Sequence, residues 1–334
     1  MVSLETKLIE DPEEILKNLQ IGIQMPILSE FHKYILRDFK IFKAKAILLL
    51  EDKNICGFVL LFYENRKLLN FGYFKTIDDE PDKISYLIDE IIKYAKLNNF
   101  QQIKGPINIP TVIYGWGFME ENSNSNLFAC CPINPQIYQS LFYKKGFKKF
   151  LLQYNWEGIL PRVNPWSLKE YNFEEYEYFN PKNYEDFNNL KHIFLKIQSE
   201  YLPSSSQVTP GPNLVFDSYA EYIFEFGFNF MIFFIRYKPT NQIVACGSFL
   251  PNPFRKNNKG NFDSCIVYTW AVIPSHRRKG LAMLMYGATS IQAWKYKIRY
   301  GIGPVGSNVK ANMELGKKLG ASIGRTYVVL EFTI

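Results

Sequence analysis

Three consecutive basic residues followed by a glycine lie between two apolar stretches in the C-terminal half of the chain. They are Arg277, Arg278, Lys279 and Gly280, and the first apolar stretch ends at Pro274. The first turn of a helix has backbone amides without partners and carries partial positive charge, so it attracts anions. A glycine there lets a ligand approach the backbone closely, and the neighbouring cations add charge. This pattern predicts a site for a phosphate or pyrophosphate.

A solvated basic turn in front of a helix is the competing interpretation. The residues on both sides favour the anion site, because they predict a strand before the loop and an amphipathic helix after it. The strand is expected over 263–273, and the apolar stripe of the helix comprises Leu281, Leu284, Ala288 and Ile291. A further strand over 298–302 ends in Gly303 and Pro304, and Asn308 follows shortly afterwards.

The N-terminal half follows the same plan. A predicted strand over 68–76 leads through an acidic loop, 78–82, into a predicted helix, and a segment over 101–104 then ends in Gly105 and Pro106. The apolar stripe of this helix comprises Ile84, Leu87, Ile88, Ile91 and Ala95. Each half then closes with a helix that a glycine ends, Gly146 or Gly320, before an aromatic-rich strand. The shared order indicates an internal duplication.

The predicted domain limits follow from this duplication. Residues 1–158 form the first domain, 159–175 a linker with two prolines and no clear period, and 176–334 the second domain. We expect the second domain to begin with a helix over 183–202. A buried strand is expected over 226–235, and the proline-rich stretch 203–212 reads as a surface connection or, alternatively, a substrate lid. The basic stretch 251–261 is predicted to join two strands as a hairpin.

The basic loop belongs to a longer motif with a known counterpart. The pattern V-x-P-x-x-R-x-x-G-x-A occurs as Val272, Pro274, Arg277, Gly280 and Ala282 and resembles the coenzyme A signature of the GNAT acetyltransferase superfamily. The resemblance implies a mixed α/β fold of tandem GNAT-like domains. Each domain would contain a mostly antiparallel, splayed sheet flanked by helices.

The same resemblance implies roles for individual residues. The pantetheine arm would lie along the strand that ends at Val272, and the pyrophosphate would lie on the amides of residues 278 to 283. The Val272 amide would polarise the thioester carbonyl. The implied coenzyme-binding residues are Trp270, Ala271, Val272, Arg277, Arg278, Lys279, Gly280, Leu281, Ala282, Met283 and Asn308.

The sequence departs from the family pattern at the expected general acid. Where many relatives carry a tyrosine, this chain has Gly316. Tyr268 and Asp263, on the strand before the loop, are candidates for acid and base. Core packing is the favoured explanation of Tyr268, and a polar position at a hairpin end is that of Asp263. In the N-terminal half the acidic loop replaces the basic one. Its four carboxylates would repel a pyrophosphate, so this half is expected to be a degenerate GNAT-like domain.

Composition narrows the function further. The net charge of +7 is mild, and no Lys/Arg block predicts binding to nucleic acid or membrane. Five cysteines and three histidines show no metal-ligand spacing, and no signal peptide is evident, so we expect a cytoplasmic protein without a metal. The prediction is an N-acyltransferase that moves an acyl group from acetyl-CoA or another acyl-CoA to a small-molecule amine or a peptide. The alternative is a non-catalytic acyl-CoA-binding regulatory module.

Overall fold

A computed structural model describes residues 3–120, 126–160, 173–202, 208–306, 314, 316–317 and 320–334. Their contacts divide the chain into two compact units. Unit 1 contains Met1–Tyr154, Val208–Ser218 and Arg325–Ile334, and unit 2 contains Asn155–Gln207 and Tyr219–Gly324. Asn308, which the sequence analysis assigned to the coenzyme site, lies outside the described residues, as does most of the predicted linker.

The described chain contains both strands and helices throughout. The strands are β1 (Leu4–Ile9), β2 (Lys45–Glu51), β3 (Asn54–Phe62), β4 (Leu68–Thr76), β5 (Gln102–Gly105), β6 (Phe118–Met119), β7 (Lys148–Ile159), β8 (Tyr176–Phe179), β9 (Ile232–Tyr237), β10 (Gln242–Pro251), β11 (Ser264–Val272), β12 (Tyr300–Gly306) and β13 (Ser322–Thr333). The helices are α1 (Pro12–Asn18), α2 (His32–Ile41), α3 (Pro81–Leu97), α4 (Thr111–Tyr114), α5 (Ile137–Lys144), α6 (Tyr184–Tyr201), α7 (Phe216–Phe226) and α8 (Leu281–Lys295). None of these described helices is long and apolar enough to cross a membrane.

The two units repeat one topology. In unit 1, β1, β2, β3 and β4 pair in sequence as antiparallel neighbours, and β4 then pairs with β5 in parallel. In unit 2, β8, β9, β10 and β11 are antiparallel neighbours, and β11 pairs with β12 in parallel. A parallel pair needs a crossover, which α3 provides in unit 1 and α8 in unit 2. The predicted mixed α/β fold, with mostly antiparallel sheets and flanking helices, is confirmed.

The last strand of each half of the sequence contributes residues to the other compact unit. The end of the chain, in β13, pairs with β5 of unit 1, from Leu330 opposite Gly105 to Thr333 opposite Gln102. The end of β7 belongs to unit 2, where the Leu160 amide donates to the Arg299 carbonyl at 2.8 Å. The contact-based units therefore differ from the predicted limits 1–158 and 176–334. As the limits of the duplicated sequence blocks, those numbers stay a prediction.

Both parallel ladders are short. The β11–β12 ladder runs only from Ser264 opposite Tyr300 to Ile266 opposite Ile302. Just beyond it, the register between β10 and β11 shifts at Tyr268. The β4–β5 ladder likewise has three pairs, and the β3–β4 register shifts beyond it. Such bulges bend and twist a strand. Each sheet therefore splays where its parallel pair ends.

The two crossover helices form where the sequence predicts them, but only one buried face was predicted correctly. The whole predicted stripe of α3 is buried. In α8 the prediction was wrong except for Leu281, because Leu284, Ala288 and Ile291 are only half-buried. The buried face of α8 comprises Leu281, Met285, Tyr286, Thr289, Ser290 and Ala293. The sequence of α8 is apolar nearly all round, so its periodicity did not mark one face.

Three further predictions in the C-terminal half have clear outcomes. The helix over 183–202 is confirmed as α6, which Asn183 caps by accepting from the Asp186 amide at 2.8 Å. The hairpin loop over 251–261 is confirmed between β10 and β11. The strand predicted over 226–235 begins only at Ile232, because the preceding residues end α7 and then form a short 3₁₀ turn. A nearly apolar run does not distinguish a strand from the end of a buried helix, so the first part of the prediction was wrong.

Candidate functional site

The basic loop enters α8 through backbone conformations that favour an anion site. Arg278 and Gly280 have positive φ angles of 61° and 77°. The Gly280 carbonyl accepts from the Met283 amide at 2.8 Å, so that amide is already used within the first turn. The amides of Leu281 and Ala282 have no acceptor among the described residues. These two donors, at the positive end of the helix dipole, are the ones available to an anion.

The end of β11 presents a second row of donors. The Ile273 amide donates to the Val244 carbonyl at 2.9 Å, which fixes its direction toward β10. Because successive amides of a strand point to opposite sides, the amides of Trp270 and Val272 point away from β10. That side faces the gap left after the β11–β12 ladder ends at Ile266. An extended ligand could pair with this open edge much as a strand would.

Arg277 lies at the rim of the open edge. Its Nε donates to the Val272 carbonyl at 3.0 Å, and an Nη donates to the Tyr201 carbonyl at 3.4 Å. The guanidinium therefore fastens the loop to the end of β11 and to the end of α6. Arg278 and Lys279 are exposed, and the Lys279 ammonium lies 5.9 Å from the centre of the Tyr237 ring. They remain available to counter the charge of a bound phosphate.

His276 anchors the basic loop, a role the sequence analysis missed because it considered histidines only as metal ligands. The side chain is buried, its Nδ1 lies 2.9 Å from the Tyr176 hydroxyl, and its ring packs edge-on against Tyr237. Burial lowers the pKa of His276, and the nearby Lys279 ammonium lowers it further. A histidine between a proline and the basic run is the one signal that could have indicated it.

The anchoring role predicts a pH dependence. Because the folded state resists protonation of His276 while the unfolded state does not, its contribution to stability is lost as pH falls below about 6.5. We expect the melting temperature of His276→Phe to fall less between pH 8 and pH 5 than that of the wild type. The control is His192→Phe, at an exposed position on α6. An unchanged pH slope in the His276 variant would contradict this account.

The structure does not bring the two catalytic candidates to the same place. Asp263 precedes β11, and its carboxylate lies 3.0 Å from Nε of Arg255. Nine positions separate it from Val272, about 30 Å along an extended strand. Tyr268 lies at the bulge, with its ring 5.5 Å from that of Tyr219. Only Tyr268 therefore shares the splayed half of β11 with Val272.

The remaining predicted residues lie close to the loop in different environments. The Trp270 ring is half-buried and packs against Phe233, Phe249 and Tyr286, while its backbone lies on the open edge. Ala271 and Leu281 are buried, whereas Ala282 and Met283 are half-buried in the first turn of α8.

The corresponding edge in unit 1 is filled by the protein itself. The Ile107 amide donates to the Phe71 carbonyl at 2.7 Å, and the Asn108 side-chain oxygen accepts from the Tyr73 amide at 2.7 Å. Thr76, the last residue of β4 as Val272 is of β11, donates its amide to the Tyr138 hydroxyl at 3.1 Å. The last strand amide, which has no acceptor among the described residues in unit 2, is therefore satisfied internally in unit 1.

The loop after β4 is also the electrostatic opposite of the basic loop. It carries four carboxylates, and the described cation among them is Lys83, which binds Asp78, Glu51 at 3.0 Å and Glu80 at 3.3 Å. The hydroxyl of Tyr138 donates to Asp79. The loop keeps an excess of negative charge, which disfavours a phosphate at this end of α3.

Thiol and metal chemistry find little support in the described residues. Burial raises the pKa of Cys246 and of Cys265 to about 12, so neither thiol is poised as a nucleophile. No group of three or more metal-ligating side chains occurs in the described part of the chain.

Comparisons with known proteins identify the fold. No family model and no curated protein matches the sequence. Among solved structures, a GCN5-related glucosamine N-acetyltransferase region of a fungal multidomain GH3 β-N-acetylglucosaminidase matches with a TM-score of 0.67 and 13% identity. A tandem GNAT protein from the clavulanic acid biosynthesis pathway matches with a TM-score of 0.65 and 10% identity. A GCN5-related N-acetyltransferase from Sphaerobacter thermophilus matches with a TM-score of 0.61 and 9% identity.

The extent of these matches differs. The alignments cover 99%, 99% and 98% of this chain. They cover 98% of the clavulanic acid pathway protein and 95% of the Sphaerobacter protein, but only 38% of the fungal enzyme. At such low identity a structural likeness shows the fold. The chain has a tandem GNAT-like fold, as the coenzyme A motif predicted.

Proposed function

We propose that this chain is an acyl-CoA-dependent N-acyltransferase whose coenzyme site lies in unit 2. The observation that carries the proposal is the contrast between the two units. No described residue pairs with the splayed edge of β11, which adjoins a basic loop at the start of α8, whereas the corresponding edge of unit 1 is filled by residues 107–108 and Tyr138. In this proposal, one half of the duplicated fold has a ligand channel that the other half has closed.

Coenzyme A matches the chemistry of this channel. Its pyrophosphate suits the amides of Leu281 and Ala282 together with the charges of Arg278 and Lys279. Its pantetheine arm is extended and carries amide groups, so it can pair with the open edge of β11 as another strand would. Acyl-CoA is a co-substrate in this proposal, and the GNAT folds of the neighbouring structures support it at the level of fold.

The reaction follows from this arrangement. An amine nitrogen attacks the thioester carbon, the carbonyl oxygen gains negative charge, and the Val272 amide stabilises that charge. Collapse of the intermediate breaks the carbon–sulfur bond and forms the amide. The proton lost by the amine balances the one gained by the coenzyme A thiol. Positioning and charge stabilisation supply the rate, and no covalent enzyme intermediate is needed.

Acceptor screening tests the activity. Purified protein is incubated with acetyl-CoA and pools of amino sugars, polyamines, amino acids and peptides, while released thiol and acetylated products are measured by absorbance and mass spectrometry. Amino sugars are included because one structural neighbour is described as a glucosamine N-acetyltransferase. We expect at least one pool to be acetylated by the wild type and not by a Gly280→Asp variant. If the wild type forms no more product than Gly280→Asp in any pool, the proposed activity is overturned.

A non-catalytic acyl-CoA-binding regulatory module is the second candidate. The observation that favours it is Gly316, which stands where the family resemblance places a tyrosine acid. Such a module would bind acetyl-CoA as the enzyme does but would leave every acceptor pool unchanged. Binding and turnover measured on the same preparation therefore separate the two functions.

A further inference from the structure

Trp156, near the end of β7 in unit 2, carries a buried hydrogen-bond donor that no described residue accepts. Its side chain is 8% exposed, and its indole Nε1 has no acceptor within hydrogen-bonding distance among the described residues. Buried donors are nearly always paired, because leaving one unpaired destabilises the folded state. An unpaired donor that persists in a protein calls for a partner outside the chain.

The pairing of β7 places Trp156 beside the open channel. The Leu160 amide donates to the Arg299 carbonyl just before β12 begins, and β7 and β12 are sheet neighbours. Only an antiparallel arrangement lets both strands overlap from that point, so Trp156, four residues earlier, lies near Gly303 and Pro304. This is beyond Ile302, where the β11–β12 ladder ends. Trp156 therefore lies on the β12 side of the gap whose other side is the open edge of β11.

Gly316 lies against the indole ring of Trp156. An ideal Cβ on Gly316 would lie 2.4 Å from indole Cε2 and 2.6 Å from Nε1. Any side chain at position 316 would collide with the ring, so the indole occupies the space that a larger residue there would take. The departure from the family pattern at Gly316 is thus the accommodation of Trp156, a residue encoded by the N-terminal half of the chain.

We propose that Trp156 is a binding residue for the acyl-carrying arm of the coenzyme, its indole N–H donating to a carbonyl oxygen of that arm. This inference rests on the proposed function and deepens it. An indole N–H only donates and does not release its proton at ordinary pH, so Trp156 orients the arm and is no general acid. Binding of the arm would satisfy a donor that has no acceptor among the described residues.

Nuclear magnetic resonance of ¹⁵N-labelled indoles tests the contact directly. The signal of Trp156 is assigned by its absence from Trp156→Phe, and the protein is titrated with acetyl-CoA and with 3′-phospho-ADP, the nucleotide half of coenzyme A. We expect acetyl-CoA to move the Trp156 indole signal downfield and 3′-phospho-ADP to leave it in place. The nucleotide occupies the basic loop but has no arm to reach Trp156.

Affinities of the variants provide an independent readout. Trp156→Phe should bind acetyl-CoA about 3- to 10-fold more weakly, the loss expected for one hydrogen bond, and bind 3′-phospho-ADP as the wild type does. Its melting temperature should fall less than that of a variant that also loses a hydrogen bond, because the Trp156 indole N–H has no acceptor among the described residues. The matched control is Trp294→Phe, which removes an indole that donates to the Leu160 carbonyl at 3.0 Å. That variant should lose stability and keep its acetyl-CoA affinity.

The outcomes separate this inference from the proposed function. If the folded wild type binds neither ligand, the coenzyme site itself is wrong. If it binds both while the Trp156 indole signal stays in place and Trp156→Phe keeps full affinity, the coenzyme site stands and the role of Trp156 is overturned.

Discussion

Gly280→Asp is expected to weaken acetyl-CoA binding at least about 100-fold while leaving the protein folded. Gly280 lies at the start of α8 with a φ of 77°, next to the amides proposed to hold the pyrophosphate. Aspartate tolerates this backbone region better than most residues and is a good helix cap, so the helix should persist. Its carboxylate would repel the pyrophosphate at close range. Isothermal titration calorimetry measures the loss.

Gly260→Asp is the matched control for this substitution. Gly260 has the same φ of 77° and lies in the hairpin loop between β10 and β11, with nothing within 4 Å of an ideal Cβ. The Gly260→Asp substitution therefore introduces the same residue in the same backbone conformation, away from the basic loop. We expect wild-type affinity. An equal loss of affinity in both variants, or retained affinity in Gly280→Asp, would contradict the placement of the anion site.

Gly105→Ala is expected to destabilise the protein by about 3 kcal/mol, whereas Gly303→Ala should change stability by less than about 1 kcal/mol. The two glycines directly follow equivalent ladder ends, in β5 and β12. An ideal Cβ at Gly105 would lie 2.4 Å from the Phe71 carbonyl oxygen, while one at Gly303 would come no closer than 3.8 Å to Val267. The comparison reports whether the splayed region is closed in unit 1 and open in unit 2.

Urea denaturation of the two variants measures this difference. Gly303→Ala adds a methyl group near the open channel, so acetyl-CoA affinity is determined for it as a second readout. Equal destabilisation by the two substitutions would mean that both splayed regions are closed alike. The structural basis for a single coenzyme site would then be lost.

The sequence was sufficient for the parts of the fold that local periodicity and a short motif determine. The stripe of α3, the strand over 68–76 and the hairpin before β11 follow from residues close together in the chain. The strand–loop–helix of the coenzyme motif is equally local, since a proline, basic residues and a glycine at fixed spacing specify a helix start. These features were therefore predicted correctly.

The features that the sequence did not predict depend on contacts between residues distant in sequence. The pairing of β13 with β5 joins residues more than 200 positions apart, and the sequence of neither strand specifies which strand it pairs with. His276 and Trp156 owe their roles to Tyr176 and Gly316, which no local pattern links to them. The filling of the unit 1 channel by Asn108 likewise becomes visible only when β4 and the following loop meet.

The contrast between the two units also gives the duplication a physical meaning. A splayed parallel pair leaves backbone donors open, and open buried donors must be satisfied by ligand or by protein. Unit 1 satisfies the amides of Tyr73 and Thr76 with its own residues, whereas the amides of Trp270 and Val272 in unit 2 have no acceptor among the described residues. The closing strand of unit 2, supplied by the N-terminal half, then brings Trp156 to the remaining channel.

The central claim is that the chain has one acyl-CoA site, in unit 2, and the stoichiometry of acetyl-CoA binding tests it most directly. Equilibrium dialysis of the purified, folded protein against radiolabelled acetyl-CoA counts the molecules bound at saturation. One molecule per chain, lost in Gly280→Asp, is the result we expect. Two molecules per chain, or none, would contradict the account.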